Sequence, residues 1–218
     1  MIDLTNEFKE CLYKTSIALD YVKNKRHFTD EIIEEFGIGY CPIVLDTSEN
    51  NIHCMKNRIT IAIRDSYGDL ISMAGRAMGD NVKPKYINLQ YHKNFYLYNL
   101  DKAKKEIYKK GCCIICEGQF DVITLWKFGF KNAVAVAGSA FSKKQASLIS
   151  RYCDRAIIIS DQDIAGAKAQ RNMENILNSL YLKYEVVSPS PSKDVDSVLN
   201  SGNSNEFCEK LREMIGGR

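Results

Sequence analysis

The chain has 218 residues, 30 Lys and Arg against 27 Asp and Glu, a formal net charge of +3, and 45% hydrophobic residues. This length supports one substantial core or two small ones, and the composition excludes a disordered or fibrous chain. A charge of +3 is too small to announce a nucleic-acid partner, and no apolar run approaches the roughly 20 residues that would call for a membrane.

Residues 5–36 carry a helical period, with Thr29-Asp30-Glu31 as the predicted cap of a helix beginning EIIEEF. The opening MIDLTNEFKECLYKTS is too acidic and too broken for a secretory leader, so the chain is expected in the cytoplasm. RITIAIR (58–64) and DLISMAGR (69–76) flank Asp65-Ser66-Tyr67-Gly68, which predicts an antiparallel hairpin, with a third short strand near Lys85-Tyr86-Ile87. Residues 53–93 hold seven Lys and Arg, including Lys56, Arg58, Arg76, Lys85 and Lys93, against three Asp, with His and Tyr interleaved. That mixture suits phosphate contacts and base stacking. It also suits a solvated surface with snorkelling lysines, and charge alone favours that reading.

From about residue 110 the pattern changes. CCIIC, NAVAVA, RAIIIS and KYEVV are short apolar runs separated by helical stretches, among them FDVITLWKFG and KKQASLISRYC. Strands alternating with helices, apolar on both faces, imply a parallel sheet covered on both sides. The expected fold class is therefore α/β: a small basic amino-terminal α+β module, then a mainly parallel sheet flanked by helices. The expected boundaries are 1–105, 106–200, and a carboxyl-terminal helical segment over 201–218. Trp126, in helical phase with Leu125 and Phe128, reads as core.

Eight cysteines suggest a metal or disulfide framework until their positions are read. Cys113 and Cys116 form one C-x-x-C, but no second pair stands at zinc-site spacing. In a strand, side chains three apart point to opposite faces, which is poor geometry for chelation. The cysteines are expected to be reduced and structural, and no zinc is predicted.

Ligands of a parallel sheet gather at the carboxyl ends of its strands, and acids stand there. Glu117 follows CCIIC, with Asp121 four residues later at a helix start. Asp161 and Asp163 follow RAIIIS. Asp194 and Asp196 follow the fourth strand, after a proline-serine loop. Each pair alone is as consistent with a turn or a helix cap. Gathered on one rim they would repel one another, and hard oxygen ligands on short loops suit Mg²⁺ or Mn²⁺, two of which can serve phosphoryl chemistry.

Glu117-Gly118-Gln119-Phe120-Asp121, Gly138-Ser139-Ala140 and Asp161-Gln162-Asp163-Ile164-Ala165-Gly166 together resemble a Toprim domain, with Glu117 and Asp161 44 residues apart. The amino-terminal half resembles the bacterial (DnaG-type) primase catalytic core. Arg26 precedes a helix, and Ile38 to Pro42 supplies an I-G-Y-x-P run. Lys56-Asn57-Arg58-Ile59 is similar to R-x-R-I, Gly75-Arg76 to the end of G-G-R, and Pro84-Lys85-Tyr86-Ile87-Asn88 to P-K-Y-L-N. His92-Lys93 and Lys193-Asp194-Val195-Asp196 resemble the later H-K and K-D-x-D. Ala137 and Ala74 depart from the family pattern.

The resemblance implies a primase core that makes short RNA primers from ribonucleoside triphosphates on a single-stranded DNA template. Glu117, Asp161 and Asp163 would be the catalytic metal ligands, supported by Asp121, Asp194 and Asp196, with two Mg²⁺ or Mn²⁺ ions expected. Arg58, Arg76, Lys85 and Lys93 are the candidates for nucleotide phosphates. Arg26 and Lys56 are candidates for the template, with Tyr86 and Asn88 positioning these groups. A replicative helicase or a separate zinc-bearing protein is a candidate partner. Two alternatives stay open: a metal-dependent Toprim nuclease, and a non-catalytic nucleic-acid-binding replication module.

Overall fold

The computed structural model describes residues 3–44, 50–79, 81–138, 140–202 and 204–217. Ser139 of the Toprim-like run lies outside them. The chain forms two compact units, Met1–Arg64 with Asp69–Tyr91, and Asp65–Gly68 with His92–Arg218.

In the first unit, α1 (Thr5–Lys14) buries Phe8 and Leu12, four residues apart on one helical face. α2 (Ser16–Asp20) runs into a π-helical turn at Tyr21–Lys25. Thr29 caps α3 (Asp30–Phe36) as expected, its side chain accepting from the Ile32 N–H at 3.4 Å. β1 (Ile38–Cys41) then lies directly against α1. A Cβ at Gly39 would stand 2.7 Å from the Phe8 carbonyl carbon, so only glycine permits that approach. β2 (Arg58–Arg64) and β3 (Leu70–Ala77) form the expected hairpin, and β4 (Tyr86–Asn88) is the third strand. The sheet is antiparallel in the order β1-β2-β3-β4.

In the second unit, a 3₁₀ turn at Lys93–Phe95 and α4 (Leu100–Lys110) precede β5 (Cys113–Cys116). The chain then alternates through α5 (Gln119–Lys127), β6 (Ala133–Ala135), α6 (Lys143–Ile149), β7 (Arg155–Ile159), α7 (Ile164–Ser179) and β8 (Lys183–Val187). It ends in α8 (Val195–Leu199) and α9 (Ser204–Gly216). The four strands are parallel in the order β6-β5-β7-β8, so β5 is central although it comes first. Ile115, Val134 and Ile158 share one cluster with Phe141, Ile149, Met173 and Leu177 of the α6 and α7 side. Ile114 and Ile157, which alternate with them, are equally buried, so both sheet faces are covered. Each such isoleucine contributes about 1.5–3 kcal/mol, whereas surface ion pairs of this unit such as Lys109–Glu106 contribute about 0–1 kcal/mol. The apolar sheet, not surface charge, holds this unit together.

Trp126 differs from expectation. It is only half-buried, with the Lys131 ammonium 4.9 Å from its ring centroid, because α5 turns Val122, Ile123 and Leu125 inward instead. All eight cysteines are reduced thiols. Burial pushes Cys112 up to about 11 and holds Cys113 and Cys116 well above the usual thiol range.

Candidate active site

The chain leaves β5 at Cys116 and places the half-buried Glu117 just past its carboxyl end. Its Oε1 accepts from the Asp161 N–H at 3.1 Å, so the exits of neighbouring strands β5 and β7 are tied together. Burial pushes the Glu117 carboxyl above its ordinary value. The Asp161 N–H pulls it down, and the charges of Asp161 and Asp163 push it further up.

Asp163 caps α7, its Oδ1 accepting from the Gly166 N–H at 2.8 Å, while Lys193 Nζ stands 3.9 Å from its other oxygen. A Cβ at Gly166 would lie 2.1 Å from the Asp161 carbonyl oxygen, so the first turn of α7 rests on the Asp161 main chain. The third acid loop joins here as well, because the Gln162 N–H donates to the Lys193 carbonyl at 2.8 Å. Asp194 caps α8 through the Ser197 N–H at 2.8 Å. Asp196 is buried, accepting from Thr124 Oγ1 at 2.7 Å and Asn200 Nδ2 at 3.1 Å, while its N–H donates to Asp121 Oδ1 at 3.3 Å. The acids therefore fall into two linked groups, Glu117 with Asp161 and Asp163, and Asp121 with Asp196. After burial, Asp121, Asp161 and Glu117 are the charges that raise the Cys116 thiol, which places all three around one strand end.

Among the described residues, no group of three or more His, Cys, Asp or Glu closes into a ready-made metal cage. Mg²⁺ does not require one, since it takes one or two carboxylates and completes its shell with water and substrate phosphate. The like-charged Glu117 and Asp161, with α7 held against Asp161 by Gly166, fit that mode of binding. A cavity of about 430 Å³ opens beside Glu117, lined by Val136, Phe141, Lys168, Asn172 and Met173. Sequence reasoning missed Lys168 and Asn172. The signal was present, because Ala165, Lys168, Ala169, Asn172 and Met173 form one stripe at helical spacing.

In the first unit the basic residues are less exposed than their charge suggested. Arg58 is buried and donates from Nη1 to the carbonyls of Pro84 at 2.9 Å and Lys85 at 3.3 Å, clamping the segment that enters β4. Arg76 is buried, donating from Nε to the Tyr21 hydroxyl at 3.0 Å and from Nη1 to the Tyr86 hydroxyl. Arg26 donates to the same Tyr21 hydroxyl, from Nη2 at 2.7 Å and Nε at 3.1 Å. Arg26 and Arg76 therefore meet on one tyrosine that the sequence did not single out. Lys56, Tyr86 and Asn88 are half-buried, and Lys85 is exposed. Lys93 belongs to the second unit, in the 3₁₀ turn.

A parallel sheet with acids at three strand exits, in a chain that begins with a basic antiparallel sheet, has the architecture of a Toprim protein with an added amino-terminal module. A family described as the DNA primase catalytic core, N-terminal domain, matches residues 43–104, and a Toprim-like family matches 114–199. The chain is 30% identical to the DNA primase of Thermotoga maritima over 92% of its own length, and 31% identical to that of Rickettsia bellii over 97%. It spans about 40% of the length of each of these relatives. Aquifex aeolicus primase, solved as its zinc-binding and RNA polymerase domains, superposes with a TM-score of 0.83 at 27% identity, over 97% of this chain and 58% of that one. A DNA primase domain from Pseudomonas aeruginosa gives 0.79 at 27% identity, over 96% and 75%. The chain belongs to the bacterial, DnaG-type family of DNA primase catalytic cores.

Proposed function

We propose that this chain is a primase catalytic core that joins ribonucleotides into short RNA primers on single-stranded DNA. The observation that carries the reading is the Glu117 carboxyl, raised by burial and by two neighbouring aspartates, on a rim where three strand exits are stitched together. Carboxylates held against their own repulsion are groups made for cations.

Glu117, Asp161 and Asp163 would hold two Mg²⁺ or Mn²⁺ ions, with Asp121, Asp194 and Asp196 in support. The chemistry such ions supply when bound is activation of a 3′-hydroxyl and neutralisation of departing pyrophosphate. The protein contributes position. The Asp161 N–H aims Glu117, and the Gly166 contact sets the distance between α7 and Asp161. Asp196, buried on Thr124, orients Asp121 through its main chain. Lys85 and Lys93 are our choice for direct phosphate contacts. Arg26 and Arg76, joined on Tyr21, act as one cationic site for a phosphate, and Arg58 positions Lys85 through that residue's carbonyl. Lys56, Tyr86 and Asn88 complete the template side.

The proposed partners are single-stranded DNA, ribonucleoside triphosphates, and a helicase or zinc-bearing protein. The proposed location is the cytoplasm, in keeping with eight reduced thiols and with no helix long and apolar enough to cross a membrane among the described residues. One structural neighbour, at 23% identity, is a DnaG primase catalytic domain bound to single-stranded DNA.

The test is primer synthesis from labelled ribonucleotides on single-stranded DNA with Mg²⁺ or Mn²⁺. Metal-dependent products that fall roughly 100-fold or more in Asp161→Ala are expected. Metal-dependent strand cutting without primer growth would overturn the reading in favour of a nuclease.

A further inference from the structure

A second basic surface stands on α6, built from residues outside the acidic rim. Lys143, Lys144, Ser147 and Arg151 line a depression of about 310 Å³ together with Phe95 and Leu148. The three cations are exposed, and among the described residues no carboxylate pairs with any of them. Phe95 is 48% exposed. Lys144 Nζ lies 3.5 Å from its ring centroid, and the His92 ring meets it edge-on at 6.0 Å.

This arrangement is fixed in place. Ser142 and Gln145 form a reciprocal cap at the start of α6. From there Ser142 Oγ donates to the Asn94 carbonyl at 2.7 Å, and the buried Gln145 donates from Nε2 to the carbonyls of Lys93 at 3.1 Å and Tyr96 at 2.7 Å. Three side-chain hydrogen bonds thus bolt the 3₁₀ turn carrying Phe95 to the helix carrying the cations. A surface loop held only by solvent would have to be ordered on binding at an entropic cost, whereas this one is ordered beforehand.

We propose that this patch is an anchor for single-stranded nucleic acid, taking phosphates on Lys143, Lys144 and Arg151 and a base on the Phe95 ring. Unpaired cations beside an exposed aromatic are the composition such strands require. An acidic peptide would use the cations and leave the ring without a role. Lys144 can exchange the ring for a phosphate by a change of rotamer, which opens that face to a base. The inference rests on the proposed function only for the class of ligand, and it needs neither metal nor nucleotide.

The experiment is fluorescence anisotropy of a labelled oligothymidylate titrated with the full chain over a range of salt, in EDTA. Three single-strand phosphate contacts contribute about 2 to the slope of log K against log salt, and Lys143→Ala/Lys144→Ala/Arg151→Ala should lose that much. Phe95→Ala should weaken binding roughly tenfold with the slope unchanged, and Phe95→Trp should retain it. Unchanged affinity and slope in both the triple variant and Phe95→Ala overturns the proposal, as does capture of polyglutamate but not of the oligonucleotide. Binding is read without catalysis, so failed primer synthesis leaves this result standing. Primer synthesis that is sensitive to Asp161→Ala, alongside unaltered binding in the patch variants, removes the patch alone.

Discussion

At residue 166 a side chain of any size meets the Asp161 carbonyl oxygen well inside van der Waals contact, and both partners of that clash are main chain or fixed to it. Gly166→Ala should therefore destabilise the protein by about 1–3 kcal/mol in urea denaturation and reduce primer synthesis as well. Unchanged stability would mean that the start of α7 has room to move. The thiols supply a prediction with a pH sign. Only the thiolate reacts, and a pKa of about 11 leaves roughly 1 in 1,000 of Cys112 ionised at pH 8. In the native protein iodoacetamide should modify the exposed Cys54 first, while Cys112, Cys113 and Cys116 stay protected. Any labelling of Cys112 should rise about tenfold per pH unit until that pKa is reached. Prompt labelling of these three at neutral pH would refute their structural role. Single residues were legible where chemistry and position coincide, as for Glu117 and Asp161 at strand ends. They were illegible where meaning depends on a distant contact. Nothing local marks Gly39 as the seat of α1, or Arg58 and Arg76 as buried, since a charged side chain reads as surface until its partners are known.

The elements of the second unit are the better case for reading from sequence. Short apolar runs alternating with helices point to a covered parallel sheet, and β5, β6, β7 and β8 stand where those runs are. The first three are buried, whereas β8 is an edge strand that buries Val187 and leaves Lys183, Glu185 and Val186 exposed. The first unit depends more on side chains that cross between elements. Tyr21, in a π-helical turn, accepts from Arg26 beside it and from Arg76 on β3, 55 residues away. Tyr21→Phe keeps the ring and removes the shared acceptor from two guanidiniums. The expected loss is about 1.5–3 kcal/mol in denaturant titration, with weaker binding of single-stranded DNA. A variant as stable as the parent would show that the two arginines are held by their other contacts. No pattern rule pairs residues 21, 26 and 76, because helix and strand periods describe faces and say nothing about which two faces meet.

For the molecule as a whole, a cation that binds the folded rim and not the unfolded chain must raise the melting temperature, by about 2.7 kcal/mol of stability at 100 times its dissociation constant. Mg²⁺ or Mn²⁺ should stabilise the parent chain, EDTA should reverse the effect, and Asp161→Ala should abolish it. A parent chain indifferent to both ions would argue against a metal-binding rim. The strand order carries one further consequence, for how the protein is made. β5 emerges from the ribosome first of its sheet, yet its neighbours are β6, about 20 residues later, and β7, about 40 residues later. The cluster of negative charge cannot assemble during synthesis until β7 has paired, so the sheet's least favourable feature is deferred to a late step of folding. By then β5, β6 and α6 can already pack together, while α7, which adds Met173 and Leu177 to the same apolar cluster, still follows.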